Sequence, residues 1–71
     1  MSKKPEPRTF ALNLREAMKA AKLTQEGLAQ SLGVSWPTVS RWCRGRSKPD
    51  LDKLDEIAEA LGTEASELVR K

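Results

Sequence analysis

The middle of the chain carries a cluster of four basic side chains, Arg41, Arg44, Arg46 and Lys48. No acidic residue lies between Glu26 and Asp50, whereas residues 50–69 hold seven carboxylates and one lysine. Guanidinium groups bind anionic oxygens through paired hydrogen bonds, and ammonium groups bind them as point charges. This asymmetry predicts a chain that presents one face to a polyanion and turns the opposite face away from it.

The composition argues against most catalytic chemistry. The chain has no His, no Tyr and one Cys, so it offers no imidazole base, no zinc-ligand cluster and no disulfide. We expect no enzyme activity, no metal, no cofactor and no small-molecule ligand. Cys43 is expected to be a small buried apolar residue in a reducing compartment. A row of carboxylates superficially resembles an acid/base or metal site but is typical of a solvated helix face: Asp52, Asp55, Glu56 and Glu59.

Apolar residues at helical spacing predict an all-α fold, a compact arrangement of five short helices around one core. Residues 1–8, with two prolines and four charges, are expected to form a flexible basic arm, and residues 9–71 the domain. N-caps are predicted at Thr9, Thr24, Ser35 and Asp50, and a last short helix is predicted to open at Thr63 or Glu64. Helix ends are predicted near Lys22, Gly33, Gly45 and Gly62. The predicted core positions of the first and fourth helices are Phe10, Leu14, Ala17, Met18, Ala21, Leu51, Leu54, Ile57, Ala58 and Leu61.

The stretch from Gln25 to Trp42, QEGLAQSLGVSWPTVSRW, meets the needs of two helices that cross steeply through a short turn. Such a pair requires apolar contacts on both helices and in the turn. It also requires a small residue at the closest approach and a residue free to adopt positive φ at the corner. The sequence supplies these at Leu28, Leu32, Val34, Val39, Trp42, Ala29 and Gly33.

With these motifs, the chain resembles the lambda-repressor-like helix-turn-helix domains, the Cro and repressor (XRE-type) family of phage and bacterial regulators. The likeness runs from Phe10 to about Val69. It rests on LTQ, LA, LGVS and TVSRW between residues 23 and 42, on Gly45 and Pro49, and on LDKLDEIAEALG. The resemblance implies binding of operator DNA as a two-fold symmetric dimer, with the helix from Ser35 to Arg44 in the major groove.

The exposed side of the third helix is expected to read bases. At about 100° per residue, Pro37, Ser40, Arg41 and Arg44 lie opposite the apolar positions of this helix. Arg41 is the predicted base reader, because its guanidinium fork matches the O6 and N7 acceptors of guanine. Arg44 is a reader or a phosphate clamp, and Ser40 lies beside them. Trp36 either contacts a thymine methyl group or sugar, or packs against the border of the core.

A second group of residues is predicted to contact DNA phosphates: Gln25, Ser35, Thr38, Arg46, Ser47 and Lys48. Gln25 lies at the N-terminus of the second helix, where unpaired amides and the helix dipole favour an anion. The resemblance implies that this Gln anchors the DNA backbone. Arg46, Ser47 and Lys48 follow the third helix and are placed to continue along the same strand.

The chain departs from the family pattern at several positions. Trp36 and Pro37 stand where relatives often carry amide side chains that read adenine. Many relatives also carry an Arg at the position of Met18 and a Glu at that of Cys43, forming an ion pair between the first and third helices. Here we expect a contact between Met18 and Cys43 instead. Gly27 lies inside the second helix, where glycine costs about 1 kcal/mol relative to alanine.

The leading hypothesis is a sequence-specific DNA-binding regulator, a Cro-like repressor that acts as a dimer. The alternative is an antitoxin or adaptor of the same fold whose main partner is a protein. Leu68 and Val69 are the predicted residues of a weak two-fold contact, unless they close the core instead. No segment approaches the roughly 20 apolar residues of a membrane span, so we expect a cytoplasmic location.

Overall fold

The computed structural model describes residues 7–70, and the first six positions of the predicted N-terminal arm therefore lie outside the described residues. Five helices follow one another in this part of the chain: α1 Pro7–Ala21, α2 Gln25–Leu32, α3 Trp36–Cys43, α4 Leu51–Leu61 and α5 Ala65–Leu68. The predicted all-α, five-helix fold is confirmed. None of the described helices is both long enough and apolar enough to cross a membrane.

Helix α1 begins at Pro7, two residues before the predicted N-cap Thr9. That capping prediction is wrong, because Thr9 already lies in the first helical turn. A proline is tolerated there since the amide groups of the first turn have no partner within the helix. Arg8, assigned to the arm from the sequence, is therefore also helical.

Local capping groups begin and end the central helices. The hydroxyl of Thr24 accepts a hydrogen bond from the Gly27 amide at 3.0 Å, and the carboxylate of Asp50 accepts one from the Lys53 amide at 2.9 Å. Gly33 ends α2 in the left-handed region, with φ of 70°. These predicted caps are confirmed, and they mark the start of α2, the start of α4 and the end of α2 through interactions between residues close in the chain.

The core lies where α3 packs against α1 and α2, with α4 and α5 closing the remaining side. Its fully buried side chains come from all five helices: Phe10, Leu14, Leu28, Val39, Ile57 and Leu68. Two predicted core positions are wrong. Ala21 is exposed in the last turn of α1, and Leu51 is 74% exposed in the first turn of α4. Helix ends extend past the elements that cover the middle of a helix, so an apolar period alone does not bury them.

Helix α5 is held to α1 through a side-chain amide. Asn13 donates hydrogen bonds to the backbone oxygens of Leu68, at 3.0 Å, and Arg70. Leu68 is completely buried and Val69 is half-buried against the core. Of the two alternatives predicted for Leu68, closing the core is therefore confirmed, and a two-fold contact through this side chain is wrong.

Candidate nucleic-acid interface

Helix α3 divides cleanly into a buried side and an exposed side. Val39, Trp42 and Cys43 face the core, whereas Arg41 and Arg44 are exposed. Ser40, predicted to lie beside the two arginines, is half-buried. The helix and its C-cap residue Arg44 thus hold two guanidinium groups outward, while three buried side chains fix the orientation of the helix.

Trp36 lies at the first position of α3 and is 52% exposed. About half of this residue is thus open to solvent, as contact with a thymine methyl group or sugar requires, and both alternatives for Trp36 stay predictions. Ser35, which precedes it, occupies the N-cap position, but its side chain makes no capping hydrogen bond. Instead the hydroxyls of Ser35 and Thr38 hydrogen-bond each other at 2.9 Å. An exposed indole and a hydroxyl pair consequently lie together at the start of α3.

The connector after α3 continues the basic surface. Gly45 adopts a φ of 74° directly after Arg44, and the chain turns there into the segment that precedes α4. Arg46 and Lys48 are exposed, and Ser47 is half-buried. Two ion pairs occur among residues 7–70, Lys53 with Glu56 and Arg70 with Glu67. Neither involves the basic side chains of α3 or the connector.

Gln25 occupies the first position of α2 and is half-buried. Burial raises the pKa of the Cys43 thiol above its ordinary value, whereas the nearby Arg15 guanidinium and Gln25 side chain oppose that rise. Cys43 is thus a buried, neutral residue, as predicted from the composition.

Arg15 is a residue of this region that the sequence did not indicate. Its guanidinium Nη1 donates a hydrogen bond to the backbone oxygen of Cys43 at 3.3 Å. The two residues are 28 positions apart, and neither helical periodicity nor the family motif pairs them. The only sequence feature that could have indicated this bond is an arginine on the exposed side of α1, and the sequence does not distinguish it from an ordinary surface cation.

The acidic side of the molecule lies on α4, whose carboxylates are exposed: Asp52, Asp55, Glu56 and Glu59. Within residues 7–70 no three groups of the metal-ligating types come together in a way that could hold an ion. Glu56 pairs with Lys53 at 3.0 Å on the surface. The row of carboxylates is a solvated helix face, as the spacing favoured.

The fold and sequence of this chain are similar to those of known helix-turn-helix proteins. A helix-turn-helix family model matches residues 14–68. The HTH-type transcriptional regulator PrtR of Pseudomonas aeruginosa is 43% identical over 56 residues, covering 79% of this chain and 22% of PrtR. The solution structure of the SOS-response transcriptional repressor LexA from Eubacterium rectale superposes with a TM-score of 0.86 at 30% identity, over 100% of this chain and 76% of that chain.

The same fold also matches part of a longer protein, apo-HppE, with a TM-score of 0.84 at 30% identity over 93% of this chain and 36% of that chain. The chain therefore spans about a fifth of PrtR and about a third of apo-HppE. The family model covers α2 and α3, which are joined by the turn at Gly33, and most of the helices packed around them. This chain belongs to the lambda-repressor-like, XRE-type helix-turn-helix family.

Proposed function

We propose that this chain binds double-stranded DNA sequence-specifically and regulates transcription in the cytoplasm, as a Cro-like repressor that binds a pseudo-palindromic operator as a dimer. One observation carries the proposal, namely the continuous basic surface of α3 and the connector. Its four cationic side chains are exposed, and the ion pairs of the described chain lie elsewhere. Uncompensated cations on a rigid helix favour a polyanion with a groove that admits the helix.

In this proposal α3 lies in the major groove with its exposed side against the base edges. Arg41 donates a pair of hydrogen bonds to guanine, the commonest specific contact between a protein and a base. Trp36, exposed at the start of the helix, makes an apolar contact with a thymine methyl group. Ser40 contributes a further hydroxyl, and Arg44 reads a base or clamps a phosphate.

Phosphate contacts then fix the position of α3 on the duplex. Arg46, Ser47 and Lys48 follow one strand beyond the end of α3, and Gln25 binds the backbone at the start of α2. The hydroxyl pair of Ser35 and Thr38 can donate a proton outward, because each hydroxyl both donates and accepts. The carboxylates of α4 repel the DNA from the opposite side and so favour one orientation of approach.

Selection of bound duplexes from a random pool tests this proposal. Dimeric binding should enrich a pseudo-palindrome whose half-sites are one helical turn, about 34–36 Å, apart or a multiple of that distance. Enrichment of a single half-site would contradict dimeric binding and leave base readout intact. No enrichment over the starting pool would contradict sequence-specific binding, and would favour a protein as the main partner of this fold.

A further inference from the structure

The exposed side of α1 carries a row of three cations and one leucine. The four residues recur at steps of four, three and four positions, and all are exposed: Arg8, Leu12, Arg15 and Lys19. At about 100° per residue they lie within about 60° of one another around the helix axis. We call them the basic row of α1. Glu16 lies at the edge of this row and lines the groove between α1 and α5. Neither ion pair of the described chain includes a cation of the row.

The exposed side of α4 carries the complementary groups. Three carboxylates and one leucine lie within about 100° of one another around its axis. These four residues are exposed and form the acidic row of α4: Leu51, Asp52, Asp55 and Glu59. The two ion pairs of the described chain do not include these three carboxylates. The charges of the two rows are thus opposite and equal in number, and each row contains one exposed leucine.

The spacing of the two rows matches when the helices lie side by side in the same direction. The two exposed leucines, placed next to each other, set the register. Arg15 and Lys19 then lie about 4.5 and 10.5 Å further along α1, because a helix rises about 1.5 Å per residue. Asp55 and Glu59 lie about 6 and 12 Å further along α4. Each carboxylate is therefore about 1.5 Å beyond its cation, a difference that a long basic side chain spans.

The opposite direction of the two helices gives a poorer match. With the leucines again side by side, Asp55 lies next to Arg8, since each is four residues from its leucine. Arg15 and Lys19 then extend past the start of α4, and Glu59 extends past the start of α1. This arrangement forms one ion pair where the parallel arrangement forms two.

A second copy of the chain fits the basic row better than a phosphate backbone does. Phosphates suit the cations, but they offer no apolar partner to Leu12, which is 51% exposed in the middle of the row. The acidic row of α4 offers a leucine and carboxylates in the matching order. Exposed ion pairs are individually weak and are screened by salt, and a contact between two short helix faces is in the range of weak interfaces. We therefore expect association at high protein concentration and low salt.

We infer that the basic row of α1 docks on the acidic row of α4 in a second copy of this chain. Arg15 pairs with Asp55 in this contact, and Lys19 pairs with Glu59. The bond from Arg15 to the backbone oxygen of Cys43, at 3.3 Å, engages one of five guanidinium N–H donors and leaves others for the carboxylate. The inference goes beyond the proposed function, because this association requires no DNA.

Sedimentation equilibrium without DNA tests the contact. The native chain should associate reversibly at about 0.02 M salt and be monomeric at about 1 M salt, where screening is strong. Lys19→Glu and Glu59→Lys should each lower the association constant by about threefold to tenfold at low salt. Both positions are exposed, so neither change disturbs the core. The double variant should recover the native association constant to within about twofold, because it rebuilds the pair with its charges exchanged.

Arg8→Glu is the matched control. It replaces an exposed cation of the same row, but no carboxylate of α4 lies opposite it in the parallel register. Lys19→Glu and Arg8→Glu both remove one positive charge and add one negative charge, which changes the net charge from +3 to +1. A loss confined to Lys19→Glu therefore cannot come from net charge. Arg8→Glu should associate as the native chain does.

Three results would overturn the inference and leave base readout by α3 untouched. A native chain that stays monomeric at about 1 mM and low salt is one, and weaker DNA binding by Lys19→Glu would then assign the row to phosphates. Equal weakening by Arg8→Glu is another, since it would indicate general charge or the opposite helix direction. The last is a double variant that associates as weakly as the single variants, since residues 19 and 59 would then not meet.

Discussion

The thiol sulfur of Cys43 lies 3.8 Å from the thioether sulfur of Met18, and this contact joins α1 to α3 inside the core. Both side chains are buried, with 3% and 6% of their surface exposed. The predicted contact between them is therefore confirmed. Apolar packing of these two side chains holds α3 against α1 at the positions where, as the resemblance implies, many relatives carry an Arg–Glu ion pair. Replacing a buried ion pair by apolar side chains is often neutral or stabilising.

The substitution Met18→Arg should destabilise the fold by about 3–5 kcal/mol, because it leaves an unpaired charge in the core. Adding Cys43→Glu should restore much of this loss by building an ion pair, with a coupling of at least about 1 kcal/mol. Cys43→Glu alone should cost less than Met18→Arg, since Arg15 is close enough to pair with the new carboxylate. Urea unfolding of the native chain, the two single variants and the double variant measures these free energies. Additive effects would show that residues 18 and 43 do not interact.

Arg41→Ala should weaken binding to the selected duplex by about 1–3 kcal/mol and abolish discrimination at one base pair of each half-site. The reason is the loss of two hydrogen bonds to one guanine from an exposed side chain whose removal leaves the core intact. Affinities for the duplex and its single-base variants provide the measurement. Uniform weakening on every sequence would show that Arg41 contacts phosphate alone.

Lys48→Ala should weaken all duplexes alike, because this residue lies in the exposed connector and is proposed to neutralise one phosphate. The salt slope should fall by about 1 per protomer while the preference among sequences stays the same. Comparison with Arg41→Ala on the same duplexes separates the two roles. An unchanged slope would remove Lys48 from the interface.

Trp36→Ala should lower the free energy of unfolding by no more than about 1–2 kcal/mol, because about half of this residue is exposed. The same change should weaken DNA binding. Replacing the contacted thymine by uracil, which lacks the methyl group, should weaken the native chain and have little effect on Trp36→Ala. Equal effects of uracil on both proteins would show that Trp36 does not contact that methyl group.

Gly33→Ala should destabilise the fold by about 1–2 kcal/mol. Apart from the residue itself and its two chain neighbours, no atom lies within 4 Å of the position that the new Cβ would occupy, so the cost comes from the φ of 70°. Gly33→Asn should cost less, because asparagine adopts the left-handed region more readily. Thermal unfolding of the native chain and the two variants measures the two losses of stability. Equal destabilisation by alanine and asparagine would show that backbone conformation is not the determinant.

The sequence predicts best those features that depend on neighbours along the chain. Thr24 and Asp50 bond to amides three residues ahead, and Gly33 and Gly62 both adopt positive φ at helix ends. Each of these requirements is local, so residue type and spacing reveal it. Gly27 is a partial exception. A Cβ there would lie 3.1 Å from the Leu23 side chain, a close approach that the spacing of residues does not show.

Features that depend on distant parts of the chain were missed or left open. The bond from Arg15 to Cys43 and the bond from Asn13 to Leu68 join positions 28 and 55 residues apart. The burial of Leu68 follows from the docking of α5 on α1 and α4, and the exposure of Trp36 from the position of the start of α3 relative to the core. Periodicity identifies an apolar position but not the element that covers it.

Competition between two duplexes tests the central claim, that the exposed side of α3 reads a DNA sequence. The native chain is titrated at about 0.15 M salt with the selected duplex and with a scrambled duplex of the same length and base composition. We predict a ratio of affinities of about 10³ or more in favour of the selected duplex. Equal affinities for the two duplexes, or no binding to either, would contradict the claim.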